Sequence, residues 1–115
     1  MYYMFKVKVT EFIVTKKLKS ILTELINEQI NDIVELRHRL HQVPEPAFSE
    51  TRTAAIIADE LNKLSIPVQT NIAGTGIVAD LATDRPGGFI AFRADMDALP
   101  VKESTGVVYI SQNTG

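Results

Sequence analysis

Cysteine is absent from the 115 residues. No disulfide framework and no thiolate metal site can therefore be built from this chain, which is the usage expected of a cytoplasmic protein. An excess of one charge is missing as well. Twelve basic against 14 acidic side chains leave a net charge of -2, so no basic stripe marks a nucleic-acid partner and no polybasic cluster marks an anionic lipid surface. Long apolar runs are also lacking. From Met1 to Thr15 the apolar residues are broken by Lys6, Lys8 and Glu11, leaving neither a secretory h-region nor a membrane-spanning segment. Gly74-Thr75-Gly76 is too short to cradle a phosphate, and no glycine-rich loop with a following lysine occurs, which argues against nucleotide binding.

What is present describes a folded chain. A hydrophobic fraction of 45% with 23% charged residues excludes disorder as the main state. The length allows one ordinary domain with a core, short of a two-domain α/β enzyme. Residues 1–16 read as an extension, although Lys6-Val7-Lys8-Val9-Thr10 alternates like a half-exposed strand. From Lys17 to Gln42 the residues Leu18, Ile21, Leu22, Leu25, Ile26, Ile30, Ile33, Val34 and Leu40 recur at helical spacing. They predict one amphipathic helix, or two joined near Asn31-Asp32. Pro44 and Pro46 end it, since each lacks an N–H and biases the preceding residue away from helix.

Ser49 is the expected N-cap of a second helix, with Glu50 in its first turn. Ala54, Ile57, Ala58, Leu61 and Leu64 form its apolar face, and Pro67 closes it. The period then changes. Val68-Gln69-Thr70, Ile77 to Ala82 and Phe89 to Phe92 read as strands, with turn chemistry at Gly74-Thr75-Gly76 and at Asp84-Arg85-Pro86-Gly87-Gly88. Residues 77–92 read as a β-hairpin. Two helices followed by about three strands predict the opening of an α/β or α+β domain with an incomplete sheet.

Asp95 and Asp97 follow the apolar run Phe89-Ile90-Ala91-Phe92. Carboxylates just beyond a strand's carboxyl end are where α/β folds gather their chemistry. If the strand continues, both side chains point to one face about 6–7 Å apart. They are then either the wall of a metal site, or the layer that supports its ligands, or two solvated aspartates capping a turn before Pro100, because close carboxylates need an offsetting cation, histidine or water. His38 and His41 stand one helical turn apart, spaced for a zinc pair or for a cationic cluster that favours the helix carboxyl end. Glu103 either faces the aspartates' pocket or lies on the surface beside Lys102. His41-Gln42-Val43-Pro44-Glu45 reads as a conformationally fixed corner.

Four blocks together resemble one family. Leu36-Arg37-His38-Arg39-Leu40-His41-Gln42-Val43-Pro44-Glu45, Thr53 to Leu61, Gly74 to Ala79, and Arg93-Ala94-Asp95-Met96-Asp97-Ala98-Leu99-Pro100 are similar, in order and spacing, to blocks of the metal-dependent amidohydrolases. That group includes hippurate hydrolases, N-acyl-amino-acid amidohydrolases and N-acetyl-diaminopimelate deacetylases, within the aminoacylase and zinc-carboxypeptidase-like superfamily. The resemblance runs from about Ile21 to Gly115. It implies the amino-terminal part of a zinc-exopeptidase-like catalytic domain over residues 17–115, whose parent activity cleaves the amide of small N-acyl amino acids. Paired divalent ions, zinc or manganese, polarise the carbonyl and activate a water in such enzymes, with a glutamate as general base.

In the wider superfamily the stretch matching Asp95-Met96-Asp97 reads His-x-Asp. The resemblance gives Asp97 a supporting role behind the metal ligands, and Asp95, standing where the histidine would be, a weaker one. The family's cysteine and histidine ligands, its general base and its lid domain match no residue here, and His38 and His41 do not occupy ligand positions. The expectation is a chain that holds no metal tightly and is inactive alone. The alternative is a non-enzymatic remnant or an interaction partner of a full-length relative, self-associating through uncovered sheet edges.

Overall fold

The computed structural model describes residues 16–82 and 86–113. The expected extension over residues 1–16, and its alternating strand at residues 6–10, lie outside the described residues apart from Lys16, where the first helix begins. The chain divides into two units, residues 1–34 and 35–115.

Helix α1 (Lys16–His41) is continuous, so the proposed break near Asn31-Asp32 does not occur. Its part up to Val34 belongs to the first unit, and there Leu22, Leu25, Ile26, Ile30 and Ile33 are exposed. Thr23 Oγ1 donates to the Lys19 carbonyl at 2.8 Å, the local bond that lets threonine sit inside a helix.

The second unit is built around helix α2 (Thr51–Lys63) and an antiparallel hairpin of β1 (Val68–Ile72) and β2 (Gly76–Ala79). Its first turn lies one residue later than expected from Ser49. Glu50 occupies the cap position, yet no side chain there bonds the helix end. The carboxylate of Glu45 does so from a distance, accepting from the amides of Arg52 at 3.1 Å and Thr53 at 2.8 Å. Any carboxylate that reaches these free N–H groups satisfies them and meets the positive end of the helix dipole, so a neighbouring loop can replace a local cap.

The carboxyl end of α2 closes in a Schellman motif. Ile66 N–H bonds the Leu61 carbonyl at 3.1 Å and Ser65 N–H bonds Asn62 at 2.9 Å. Ser65 takes φ 59, a left-handed position that is usually glycine in helices that end this way. Pro67 follows, as expected.

The hairpin differs from the one read in the sequence. β2 pairs with β1 (Val68 with Ala79, Gln69 with Val78, Ile72 with Gly76), not with residues 89–92. Between the last two pairs two residues of β1 face one of β2, which is a β-bulge. Asn71 takes φ 61 within it, a left-handed conformation that asparagine tolerates well. Gly74 turns the chain at φ 111. Gly76 lies so close to the facing strand that a Cβ would stand 2.5 Å from the Ile72 carbonyl oxygen. Residues 89–92 form no strand, and Phe89 and Phe92 are 103% and 96% exposed. A continuous apolar run needs neighbours on both sides to become a buried strand, and none is present among the described residues. The fold class stands as a partial α/β domain with two helices and an open two-stranded sheet.

Candidate functional site

The corner that joins α1 to α2 organises everything placed near it. Val43, 4% exposed, and Glu45, 8% exposed, are buried in it. Besides the two amides of α2, the Glu45 carboxylate accepts from the hydroxyls of Thr53 at 2.9 Å and Thr51 at 3.3 Å. Burial pushes this carboxyl upward, but the amides of Thr53 and Arg52 and then the two hydroxyls outweigh it, so the group lies below its ordinary value. The main chain of the corner is equally occupied. Glu45 accepts from Ala98 N–H at 2.8 Å and Gln42 from Gln112 N–H at 2.8 Å, while the Asn113 side-chain amide donates to the Pro44 carbonyl. One stiff corner thus fixes the start of α2, the run at residues 95–98 and the segment at 112–113.

A cleft of about 680 Å³ opens beside the corner, with apolar walls from Leu40, Ile57, Met96 and Leu99. Asp95 lines it; Asp97 is not among its lining residues. Asp95 is held by the Arg93 guanidinium, with Nη2 at 3.1 Å and Nε at 3.3 Å from Oδ1. Both partners are exposed, so the pair adds little stability. Asp97 is exposed. The two carboxylates therefore do not share a wall, because residues 95–97 carry no strand that would aim them alike.

Glu103 does reach the pocket of Asp95, as one of its two readings had it. Its carboxylate bonds His41 Nε2 at 3.0 Å and accepts from Ser111 N–H at 2.7 Å and from the Thr105 hydroxyl. The Thr105 hydroxyl first, then the Ser111 amide, with His41 behind them, hold its pKa down at about 2 against partial burial. Tyr109 stacks on His38 with ring centroids 3.6 Å apart at 10° and meets His41 edge-on at 5.5 Å and 83°. Arg39 completes the helix end, reaching Glu60 of α2 at 2.7 Å. The histidines are therefore a cluster at the helix carboxyl end. Sequence reasoning missed the His41–Glu103 bond and the Tyr109 stack, since partners separated by 62 residues leave no local signal.

A two-metal centre does not fit these residues. Among the described residues no three histidine, cysteine, aspartate or glutamate side chains stand close enough to hold a metal ion. Asp95 is taken by Arg93, and Glu103 by three donors. No helix among the described residues is long and apolar enough to cross a membrane.

The chain is 39% identical over 100 residues to YhaA, a Bacillus subtilis protein described as an amidohydrolase; the match covers 84% of this chain and 25% of that protein. It is 36% identical over 84 residues to thermostable carboxypeptidase 1 of Saccharolobus solfataricus, covering 72% and 21%. It is 33% identical over 97 residues to the N-acyl-L-amino acid amidohydrolase of Geobacillus stearothermophilus, covering 84% and 26%. The chain belongs to this family of amidohydrolases, carboxypeptidases and deacetylases. It spans about a fifth to a quarter of the length of these curated relatives. No family model matches the chain, and no solved structure matches it.

Proposed function

We propose that this chain supplies the opening part of a catalytic domain that hydrolyses the amide of N-acyl amino acids with the help of divalent zinc or manganese. By itself it holds no metal tightly and turns nothing over. The observation that carries this reading is the identity of 33–40% over 83–97 residues with relatives that are named for amide hydrolysis and deacetylation. When bound, the metal ions would supply carbonyl polarisation and an activated water. What this chain contributes is placement. The Glu45 carbonyl fixes Ala98 immediately after Asp97, and Asp97 stands exposed and available to orient a ligand brought by another part of the protein. Residence in the cytoplasm belongs to the same reading.

The test has two arms. The purified chain incubated with zinc or manganese and N-acetyl or N-benzoyl amino acids is expected to release no free amino acid; turnover with tightly bound stoichiometric metal would overturn the inactivity. In the second arm the chain replaces the matching quarter of the Geobacillus enzyme. The chimera is expected to hydrolyse its substrate, and Asp97→Ala within it should lower turnover by about 10–100-fold. A folded, metal-loaded chimera indifferent to Asp97→Ala would remove the assigned role.

A second reading, association with a full-length relative, is favoured by the exposed run Phe89, Ile90 and Phe92 and by the open edges of the two-stranded sheet. Size-exclusion chromatography of the chain with and without such a relative separates the readings. Comigration supports association, and a compact monomer in both runs opposes it.

A further inference from the structure

Histidine is the residue type whose ordinary charge change lies nearest neutral pH, and both histidines of this chain stand at one place. His38 and His41 are its only histidines, and it has no cysteine. The carboxyls of Glu45, Glu50, Glu60 and Glu103 are displaced downward and the Lys63 ammonium upward, all away from neutrality. Both imidazoles touch the ring of Tyr109, and His41 also bonds Glu103. The segment they hold, residues 103–113, contains neither helix nor strand. Through Glu103, Thr105 and Ser111 it forms one wall of the cleft.

We propose that His38, His41, Tyr109 and Glu103 form a pH-responsive clasp. It holds residues 103–113 more tightly when the imidazoles are protonated than when they are neutral, and so sets how firmly that wall of the cleft stands. The inference rests on this geometry and not on the hydrolase reading.

The chemistry has a definite sign. Glu103 remains ionised throughout the neutral range because Thr105, Ser111 and His41 all bond its carboxylate. A neutral imidazole at 3.0 Å gives it a hydrogen bond with one ionised partner; an imidazolium adds the attraction of opposite charges to the same bond. An imidazolium at His38 adds a cation–π attraction to the Tyr109 face. Surrounding charges do not reverse this. On α1, Arg37 and Arg39 flank the imidazoles, but Arg39 is occupied by Glu60 and the helix carboxyl end favours positive charge. From the preceding segment, Asp95 and Lys102 share the cleft, and Asp95 is occupied by Arg93. From α2 the cleft receives Thr53 and Ile57, neither of which titrates. Arg37 and Lys102 oppose protonation without a contact as close as that of His41 with Glu103. Raising the pH therefore weakens the clasp, although a neutral His41 still bonds Glu103.

Amide hydrogen exchange read by NMR tests the clasp on the unaltered chain. Ser111 N–H bonds Glu103 and Gln112 N–H bonds Gln42, so both report on its closure. After correction for intrinsic exchange, both should be about two- to fivefold better protected near pH 5.5 than near pH 8, the effect expected of a partly exposed ion pair, and about 0.5 M salt should shrink the difference. His41→Asn and Glu103→Gln should each abolish most of it. Should a variant not fold, the Ser111 amide shift of the unaltered chain still decides, since it should follow the protonation of His41. Equal protection at both pH values, a Ser111 shift that ignores His41, or a full difference retained in folded His41→Asn would overturn the proposal.

Discussion

At the scale of single residues, Glu45 carries the most structure. Its side chain is buried, bonds two amides and two hydroxyls, and stands in for a helix cap that its own sequence position does not suggest. Glu45→Ala should cost about 1–3 kcal/mol, from the lost cap together with the donors left unpaired, and Glu45→Gln should cost less; thermal denaturation followed by circular dichroism measures both. Acid should act through the same group. The carboxyls of Glu45 and Glu103 lie below the ordinary value of 4.5 in the folded chain, Glu103 at about 2. Their contribution is therefore complete above about pH 4.5 and disappears as the pH falls through the folded values. Melting temperatures taken between about pH 5 and pH 2 should decline, and the decline should be shallower in Glu45→Gln. Of these details the sequence announced the stiff corner, because two prolines bracket Glu45, but not the target of its carboxylate. That target is chosen by where α2 begins, a fact of packing.

At the scale of elements, both helices were legible because their apolar residues recur every three or four positions and proline stops each one. The strands were legible as segments but not as pairs. β2 could close on β1 through the short turn at residues 73–75 or on residues 89–92 through a longer loop, and the shorter closure loses less chain entropy. Gly74 and Gly76 supply the left-handed turn and close backbone approach it requires. The Schellman end of α2 offers a direct check. Ser65 holds a left-handed conformation at φ 59, which disfavours any residue with a Cβ. Ser65→Gly should therefore stabilise the chain by about 0.5–1 kcal/mol, read as an upward shift in the midpoint of urea unfolding. A drop in the midpoint would mean that the serine side chain does something more than occupy the turn.

For the whole molecule, the candidate site was legible as a family signature but not as a working centre. The run around Asp95 and Asp97 named the family, and the relatives agree. Yet the run is tied to the corner by one main-chain bond, from Ala98 N–H to the Glu45 carbonyl, while its carboxylates face an ion pair and solvent. The interior is correspondingly slight. Among the described residues the buried apolar side chains are Val43 and Ala58, joined by the polar Glu45, Glu50 and Thr53. Phe89, Phe92 and the apolar stripe of α1 up to Val34 are exposed. Scanning calorimetry of the isolated chain should therefore show a broad, low-enthalpy transition, and a hydrophobic dye should bind it before heating. A sharp two-state melt without dye binding would contradict the exposure of these surfaces.

The carbonyls at Gln42 and Pro44 also have a place in time. They leave the ribosome early, whereas Asn113, which bonds Pro44, lies 69 residues further along. At about 5–20 residues per second that gap corresponds to roughly 3–14 s of synthesis. During this interval Gln42 and Pro44 present acceptors to water, with helix α2 already able to form on Glu45. Nascent chains halted before Gln112 should thus contain both helices with an unlatched corner. The arrival of Gln112 and Asn113 is then the event that latches the corner, and a turn made early is completed late.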